Sequence, residues 1–210
     1  RTSENIARIE GFKVTPPTET LLGELPEVLG FYELGARHEL PIQLTQKTGY
    51  YFDQRPLRRR IREISRGCRV LDACCYTGSI GISAALGGAT EVLGVDKSAP
   101  AVLVAEHNAA LNGVSEQCRF EQGEAARAFR KGAEDGGYDI VICDPPKLAS
   151  SRKSRDQALT GYRKMAANAC AAVKPGGVIA MCSCSGSVST DALQRVLALG
   201  ARDSRKRAVI

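Results

Sequence analysis

Tyr138-Asp139-Ile140-Val141-Ile142-Cys143, followed at once by Asp144-Pro145-Pro146-Lys147, reads as a buried parallel strand that delivers an acid, two prolines and a lysine at its carboxyl end. Further on, Gly177-Val178-Ile179-Ala180-Met181-Cys182 has the same apolar character and runs into Ser183-Cys184-Ser185-Gly186. Between them, residues 157 to 173 carry a long helical pattern, so the two strands are expected to lie parallel with a crossover helix. In an open α/β sheet the carboxyl edge is where ligands bind. Asp144 and Cys184, delivered there from neighbouring strands, have the character of reacting groups rather than packing residues.

Outward from this pair the same unit repeats. Cys68-Arg69-Val70-Leu71-Asp72 reads as a first strand and Ser79 to Leu86 as a close-packing helix of small and apolar residues. Glu91-Val92-Leu93-Gly94-Val95-Asp96 is a second strand. A helix from about Ala99 to Leu111 follows, with Val102, Leu103, Ala105, Ala109 and Ala110 expected on its inner side and Asn112-Gly113 ending it in a left-handed conformation. Residues 117 to 121 make a third strand, and Lys174-Pro175-Gly176-Gly177 a turn before the last. The expected fold class is α/β, a Rossmann-like domain with a mainly parallel sheet and helices on both faces.

Residues 1 to 56 hold five of the nine prolines and show no sustained helical period. Short β segments are expected there, at Glu39 to Thr45 and Gly49 to Phe52, as the end of an upstream domain joined to a β-element covering the active site. The expected division is a β-rich segment over 1–56 and the α/β domain over 57–210. The start at Arg1 and the finish at Ala208-Val209-Ile210 imply a fragment of a longer protein. With 210 residues, 43% hydrophobic and 25% charged, the chain can bury one substantial core. No apolar run approaches the roughly 20 residues of a membrane span, and Arg1-Thr2-Ser3-Glu4-Asn5 lacks a signal-peptide layout, so a cytoplasmic protein with no membrane partner is expected.

Most of the eight cysteines lie inside apolar strands or helices, as Cys68, Cys118, Cys143, Cys170 and Cys182 do, and are expected as free thiols. Cys74-Cys75 and Cys182-x-Cys184 lack a second pair at zinc-ribbon spacing, and His38 and His107 are remote in sequence, so no metal site is expected. The net charge of +6 is clustered at Arg55, Arg58, Arg59, Arg60, Arg62 and Arg66, at Arg152-Lys153-Ser154-Arg155, and near Arg202 to Arg207. Such clusters fit phosphates, which makes nucleic acid a candidate partner. For Arg58 to Arg66 a solvated helix face fits equally well.

The turn Asp72-Ala73-Cys74-Cys75-Tyr76-Thr77-Gly78 lacks the Gly-x-Gly-x-x-Gly of a dinucleotide site, with Cys74 and Tyr76 replacing small residues. An acid at the strand end with a looser turn suits a ligand carrying an ammonium and no phosphate. Asp96 is placed to accept both hydroxyls of a ribose, and Gly123-Glu124-Ala125 to frame an adenine. One station per successive strand describes S-adenosylmethionine.

The blocks Lys47-Thr48-Gly49-Tyr50-Tyr51-Phe52-Asp53-Gln54-Arg55, Tyr76-Thr77-Gly78, Val95-Asp96-Lys97-Ser98, Asp144-Pro145-Pro146-Lys147, Gly161-Tyr162 and Ser183-Cys184-Ser185-Gly186 resemble the class I methyltransferase domain of the bacterial 23S ribosomal RNA cytosine-5 methyltransferase family, in which a PUA domain and a central domain precede the catalytic one. The similarity runs from about Glu19 to Leu197. The resemblance implies Cys184 and Asp144 as catalytic residues. It implies Gln54, Asp72, Tyr76, Thr77, Gly78, Asp96, Lys97, Glu124 and Asp144 as contacts of S-adenosylmethionine. Pro145, Pro146, Lys147, Arg55 and Arg152 would contact RNA. A homodimer is implied by the resemblance alone. The chain departs from the family in lacking the PUA portion and in carrying Glu124 where an Asp is usual.

Carbon 5 of cytosine is a weak nucleophile, so the implied chemistry needs the Cys184 thiolate to add at carbon 6 while Asp144 hydrogen-bonds the ring nitrogen or exocyclic amine. Pro145-Pro146 would fix the backbone beside a base flipped out of its stack. Tyr162 and Arg163 remain open between RNA contact and packing. Three other readings are an exocyclic-amine methyltransferase, for which Lys147 stands where an aromatic is usual, a non-catalytic RNA-binding scaffold, and a nicotinamide-dependent oxidoreductase.

Overall fold

The described residues of the computed structural model, 23–44, 50–148 and 155–210, begin with a hairpin of β1 (Val28–Glu33) and β2 (Ala36–Pro41). Its two-residue turn, Leu34-Gly35, takes positive φ at both positions (51° and 79°), the backbone twist that favours tight antiparallel pairing. Helix α1 (Arg55–Ile64) then leads into the alternating units β3 (Arg69–Ala73), α2 (Ser79–Leu86), β4 (Glu91–Asp96), α3 (Ala99–Leu111), β5 (Cys118–Gln122), α4 (Ala125–Glu134), β6 (Tyr138–Cys143), α5 (Arg155–Ala172), β7 (Val173–Met181) and α6 (Thr190–Asp203). The last five strands form one parallel sheet in the order β5-β4-β3-β6-β7. Successive units run outward from β3 to β5 on one side, then resume at β6 on the other. The carboxyl ends of β3 and β6 therefore flank the point where strand order reverses.

The two-residue side-chain period of the strands sorts the core into two layers. Val70, Val92, Phe120, Ile140 and Ile142 pack against α1, α2 and α3 through Ile61, Ile82, Val102 and Ala105. Leu71, Ala73, Val95, Val141 and Cys143 face the other way and meet Phe129 of α4 and Ala169 and Ala172 of α5. Every central strand is covered on both faces, which is why these strands read as apolar runs rather than as alternation. Helix α6 packs on α5, where a Cβ added at Gly200 would stand 2.6 Å from the Ala166 Cβ.

Several local expectations change. Within α3, Leu103 is 65% exposed and Ala110 is also exposed, while Asn108 is buried. The hairpin explains this: it lies along α3, with the Arg37 N–H donating to Asn112 Oδ1 (2.9 Å) and the Glu39 N–H to Asn108 Oδ1 (2.8 Å). Buried polar caps of this kind replace apolar packing because a strand's own N–H groups need acceptors. The β segment expected from Glu39 ends at Pro41, where a 3-10 turn, Ile42–Leu44, takes over, and Thr45 lies outside the described residues. Instead of a strand, Tyr50 is a bend and Phe52–Gln54 a 3-10 turn leading directly into α1. Lys174 to Gly177 bulges out within β7, so that Tyr138 faces Val173 but Ile140 faces Val178.

Candidate active site

The loop leaving β3 sets the geometry of the carboxyl edge. The N–H groups of Cys74 and Cys75 both donate to the Val95 carbonyl (2.8 and 3.0 Å), which folds the chain back over β4. Cys74 (φ 70°), Tyr76 (φ 50°) and Gly78 (φ 76°) are all left-handed. The backbone thus makes the turns usually assigned to glycines at two positions that carry side chains, at a cost of about 1–2 kcal/mol each. The expectation of a looser turn is corrected accordingly. At Gly78 no side chain fits, because a Cβ would stand 2.8 Å from both Ala105 Cβ and Phe120 Cζ.

Asp72 is fully buried behind this loop. Its Oδ2 accepts from the Gly81 N–H (2.9 Å), whereas Oδ1 has no partner among the described residues, and neither does the buried hydroxyl of Thr77. Burial, reinforced by the charges of Asp144 and Asp96, pushes the Asp72 carboxyl up to about 7. A buried acid with an orphaned oxygen fits a donor-bearing cation such as an ammonium. Asp96 is held differently: its Oδ2 accepts from the Tyr76 N–H (2.9 Å) and its Oδ1 from the Ser98 N–H (2.9 Å). Each oxygen keeps a lone pair, so the carboxylate can still receive two hydroxyls. Lys97 and Glu124, both largely exposed, pair with each other at 3.1 Å on the rim. The two carboxyls thus offer different chemistry on adjacent strands: Asp72 an orphaned oxygen for a cationic donor, Asp96 a fixed pair of acceptors for two hydroxyls.

The raised carboxyl of Asp72 has a measurable consequence. An acid near 7 rather than 3.8 binds its proton more tightly when folded, so its contribution favours folding below pH 3.8, declines as pH rises and is lost above 7. The span corresponds to an upper bound of about 4 kcal/mol. Asp72→Asn keeps an acceptor for Gly81 and removes the charge. Chemical denaturation at pH 8 should show the variant more stable than the parent by about 2 kcal/mol, with the difference vanishing below pH 4.

Across the switch point, Asp144 follows β6 and Cys184 follows β7. Burial and then the charge of Asp53 raise the Asp144 carboxyl to about 6, against an opposing contribution from Arg58. Pro145 is buried, and Pro146 and Lys147 are exposed. The Cys182 N–H donates to the Cys143 carbonyl (2.8 Å), extending the ladder one residue beyond β7. Burial and Asp144 drive the Cys182 thiol up to about 12, and burial drives Cys74 to about 12 as well. Cys184, two residues on, is exposed. Its loop is held by Ser183, whose Oγ accepts from the Tyr162 hydroxyl (2.9 Å) and the Ser185 N–H (3.2 Å). Tyr162 is fully buried and Arg163 is paired twice with Asp203, at 2.7 and 2.8 Å. Both therefore resolve toward structure.

Gln54, at the start of α1, reaches this edge, its Oε1 lying 3.9 Å from the Cys182 Sγ. Arg55 is half exposed with its Nε 3.1 Å from Glu33. Arg58, expected on a solvated or phosphate-binding face, is instead buried against Glu33. Arg152, like Lys47, Thr48 and Gly49, lies outside the described residues. Sequence reasoning passed over Tyr51 and Asp53, although both sit in the quoted block. The Tyr51 ring meets Tyr76 edge-on at 5.8 Å, and its hydroxyl is raised first by burial and then by Cys184, Asp144, Asp53 and Asp96. That set of neighbours puts it at the centre of the edge. Among the described residues no cluster of three or more potential metal ligands occurs, and no helix is long and apolar enough to cross a membrane.

Residues 9–205 match the family model described as S-adenosylmethionine-dependent methyltransferase. The chain is 34% identical over 209 residues to ribosomal RNA large subunit methyltransferase I of Erwinia tasmaniensis, covering 98% of this chain and 52% of that protein. It is 36% identical over 210 residues to ribosomal RNA large subunit methyltransferase of Deinococcus radiodurans, with 99% and 52% covered. It thus spans about half the length of these curated relatives. Among solved structures, a putative S-adenosylmethionine-dependent methyltransferase from Streptococcus mutans superimposes with a TM-score of 0.75 at 21% identity, over 85% of this chain and 47% of the other. One from Agrobacterium tumefaciens gives 0.71 at 21%, over 85% and 60%. These likenesses confirm the fold.

Proposed function

This chain belongs to the S-adenosylmethionine-dependent methyltransferase family, and we propose that it forms 5-methylcytosine in large-subunit ribosomal RNA, in the cytoplasm, through a covalent adduct on Cys184. The observation that carries the proposal is the pairing at the carboxyl edge. One exposed thiol, Cys184, follows β7, and a carboxyl raised to about 6, Asp144, follows the neighbouring β6, both acting on the Tyr51 hydroxyl. Cys74, Cys143 and Cys182 share that edge but are held protonated by burial. The RNA substrate rests on the names of the relatives.

When bound, S-adenosylmethionine supplies an electrophilic methyl group. Cys184 adds its sulfur to carbon 6 of the cytosine and so directs electron density to carbon 5. Asp144, partly protonated near neutral pH, donates a hydrogen bond to the ring nitrogen as charge develops there. After methylation a base takes the proton from carbon 5, the pair it leaves re-forms the double bond to carbon 6, and the carbon–sulfur bond breaks with its electrons returning to Cys184. Asp72, Asp96, Thr77 and the loop from Tyr76 to Gly78 hold the cofactor, with Gln54, Lys97 and Glu124 at its margin. Pro145, Pro146, Lys147 and Arg55 border the RNA, and Arg152, outside the described residues, is assigned to it on the sequence alone.

Ribosomal RNA containing 5-fluorocytidine tests this, because fluorine at carbon 5 cannot leave as a proton does. The expected result is a denaturant-resistant adduct whose peptide contains Cys184. No adduct, with cofactor and RNA binding both intact, would move the reaction to an exocyclic amine.

A further inference from the structure

Two large aromatic side chains stand exposed immediately before α1: Tyr51 is 48% exposed and Phe52 52%. Solvent contact on this scale is costly for rings that could turn inward, yet both are fixed from beneath. Phe52 packs edge-on against Tyr50 at 5.2 Å and lies 6.2 Å from Phe31. The Tyr51 carbonyl accepts from the buried Arg58 guanidinium at 3.1 Å. The two rings are therefore presented rather than loose, and Tyr51 touches the cofactor loop through Tyr76. Arg55, Pro56, Arg59 and Arg60 line a shallow groove that continues from them along α1, with Glu63 as its one acid. Glu63 is occupied by Arg60 at 3.3 Å, and Arg55 by Glu33, which leaves exposed Arg59 facing solvent from the groove.

Exposed rings followed by guanidinium groups match single-stranded RNA, whose bases stack on aromatic faces while phosphates meet arginines. Helix α1 begins at the catalytic edge, where Gln54 reaches Cys182. Arg55 and Arg59 are one turn apart, about 6 Å along the axis, close to the spacing of consecutive phosphates in an extended strand. We propose that Tyr51, Phe52 and Arg59 form a track for the single-stranded RNA flanking the target base, with the rings stacking neighbouring nucleotides and the groove of α1 carrying their phosphates. The inference rests on the proposed RNA reading and extends it to residues that reading does not use.

The test is fluorescence anisotropy with a labelled single-stranded RNA dodecamer, alongside calorimetric binding of S-adenosylhomocysteine as a check that each variant keeps its site. Phe52→Ala and Tyr51→Ala should each weaken RNA binding about tenfold, and Tyr51→Phe should not, since stacking needs the ring and not the hydroxyl. Arg59→Ala should lower the slope of log affinity against log salt by about 0.7, while Arg130→Ala on the exposed side of α4 leaves it unchanged. Because Arg59 is exposed, its variant stays informative even if Phe52→Ala fails to fold. Parent-like RNA binding by Arg59→Ala and Tyr51→Ala would overturn the track while leaving the RNA reading intact. A parent that binds S-adenosylhomocysteine but no RNA would overturn both.

Discussion

Cys184→Ala is expected to reduce methyl transfer by about 10,000-fold or more, the scale seen when a covalent nucleophile is removed from an otherwise intact site. The loss should fall on turnover. Cys184 follows β7 by three residues, outside the loop of Tyr76 to Gly78 and apart from Asp72 and Asp96, so affinity for S-adenosylhomocysteine should stay within about twofold of the parent. Cys182→Ala supplies the contrast. Its thiol is held near 12 against Gln54 and has no thiolate to offer at neutral pH, so its removal should cost less than about tenfold, through packing alone. Single-turnover assays with labelled cofactor separate the cases. Equal losses in the two variants would sink the assignment of Cys184 as nucleophile.

Arg58→Ala is expected to destabilise the protein by about 3 kcal/mol at pH 7, because it removes the buried, two-point partner of Glu33 and leaves that buried carboxylate only the half-exposed Arg55 and the Tyr50 hydroxyl. Arg58 and Glu33 expose only 1% and 2% of their side chains, and Arg58 Nη2 lies 2.9 Å from Glu33 Oε1 while its Nε binds the other oxygen. The guanidinium also stacks 4.4 Å from the centre of the Tyr50 ring, and Tyr50 donates to Glu33 at 3.2 Å. Burial raises the Glu33 carboxyl, but Arg58, Arg55 and Tyr50 together outweigh it, and the net position is below the ordinary 4.5. A depressed acid stabilises the fold above its unfolded value and loses that contribution as pH falls through the folded one. The penalty of Arg58→Ala should therefore shrink below pH 4.5. Glu33→Gln in the same background should recover part of the loss at pH 7 by removing the stranded charge. Denaturant titrations across pH measure both effects, and a penalty below 1 kcal/mol would show that the pair is solvated in practice.

The strand and helix alternation was legible because both sheet faces are buried, which turns each strand into an apolar run of fixed length. Helix α3 was legible at both ends for chemical reasons: the Ser98 hydroxyl accepts from the Ala101 N–H at 3.3 Å, and Gly113 takes φ 67°. Asp144 and Cys184 could be located because each follows such a run. What escaped were features decided by partners far along the chain. Nothing near Arg58 in sequence announces Glu33, so a buried ion pair looked like one more exposed arginine, solvated or set against phosphate. Leu103 looked like core because its periodicity fits α3, but the neighbouring face was already taken by Asn108 and the hairpin. Cys74 and Tyr76 concealed a tight turn because the usual marker, glycine, is absent. Tyr51 needed the folded edge to reveal its neighbours.

Asp144 and Asp96 both help to raise the buried Asp72, so the carboxyl edge of the sheet gathers three acids and has a preference of sign. On the proposed placement of the cofactor, such an edge would favour a sulfonium over a pyrophosphate by charge alone. The same preference acts in time. Transfer of the methyl group converts the sulfonium to a neutral thioether and withdraws an attraction on the order of 1 kcal/mol or more. On the same placement the acids would hold the fresh cofactor more tightly than the spent one, and the chemical step would itself favour exchange.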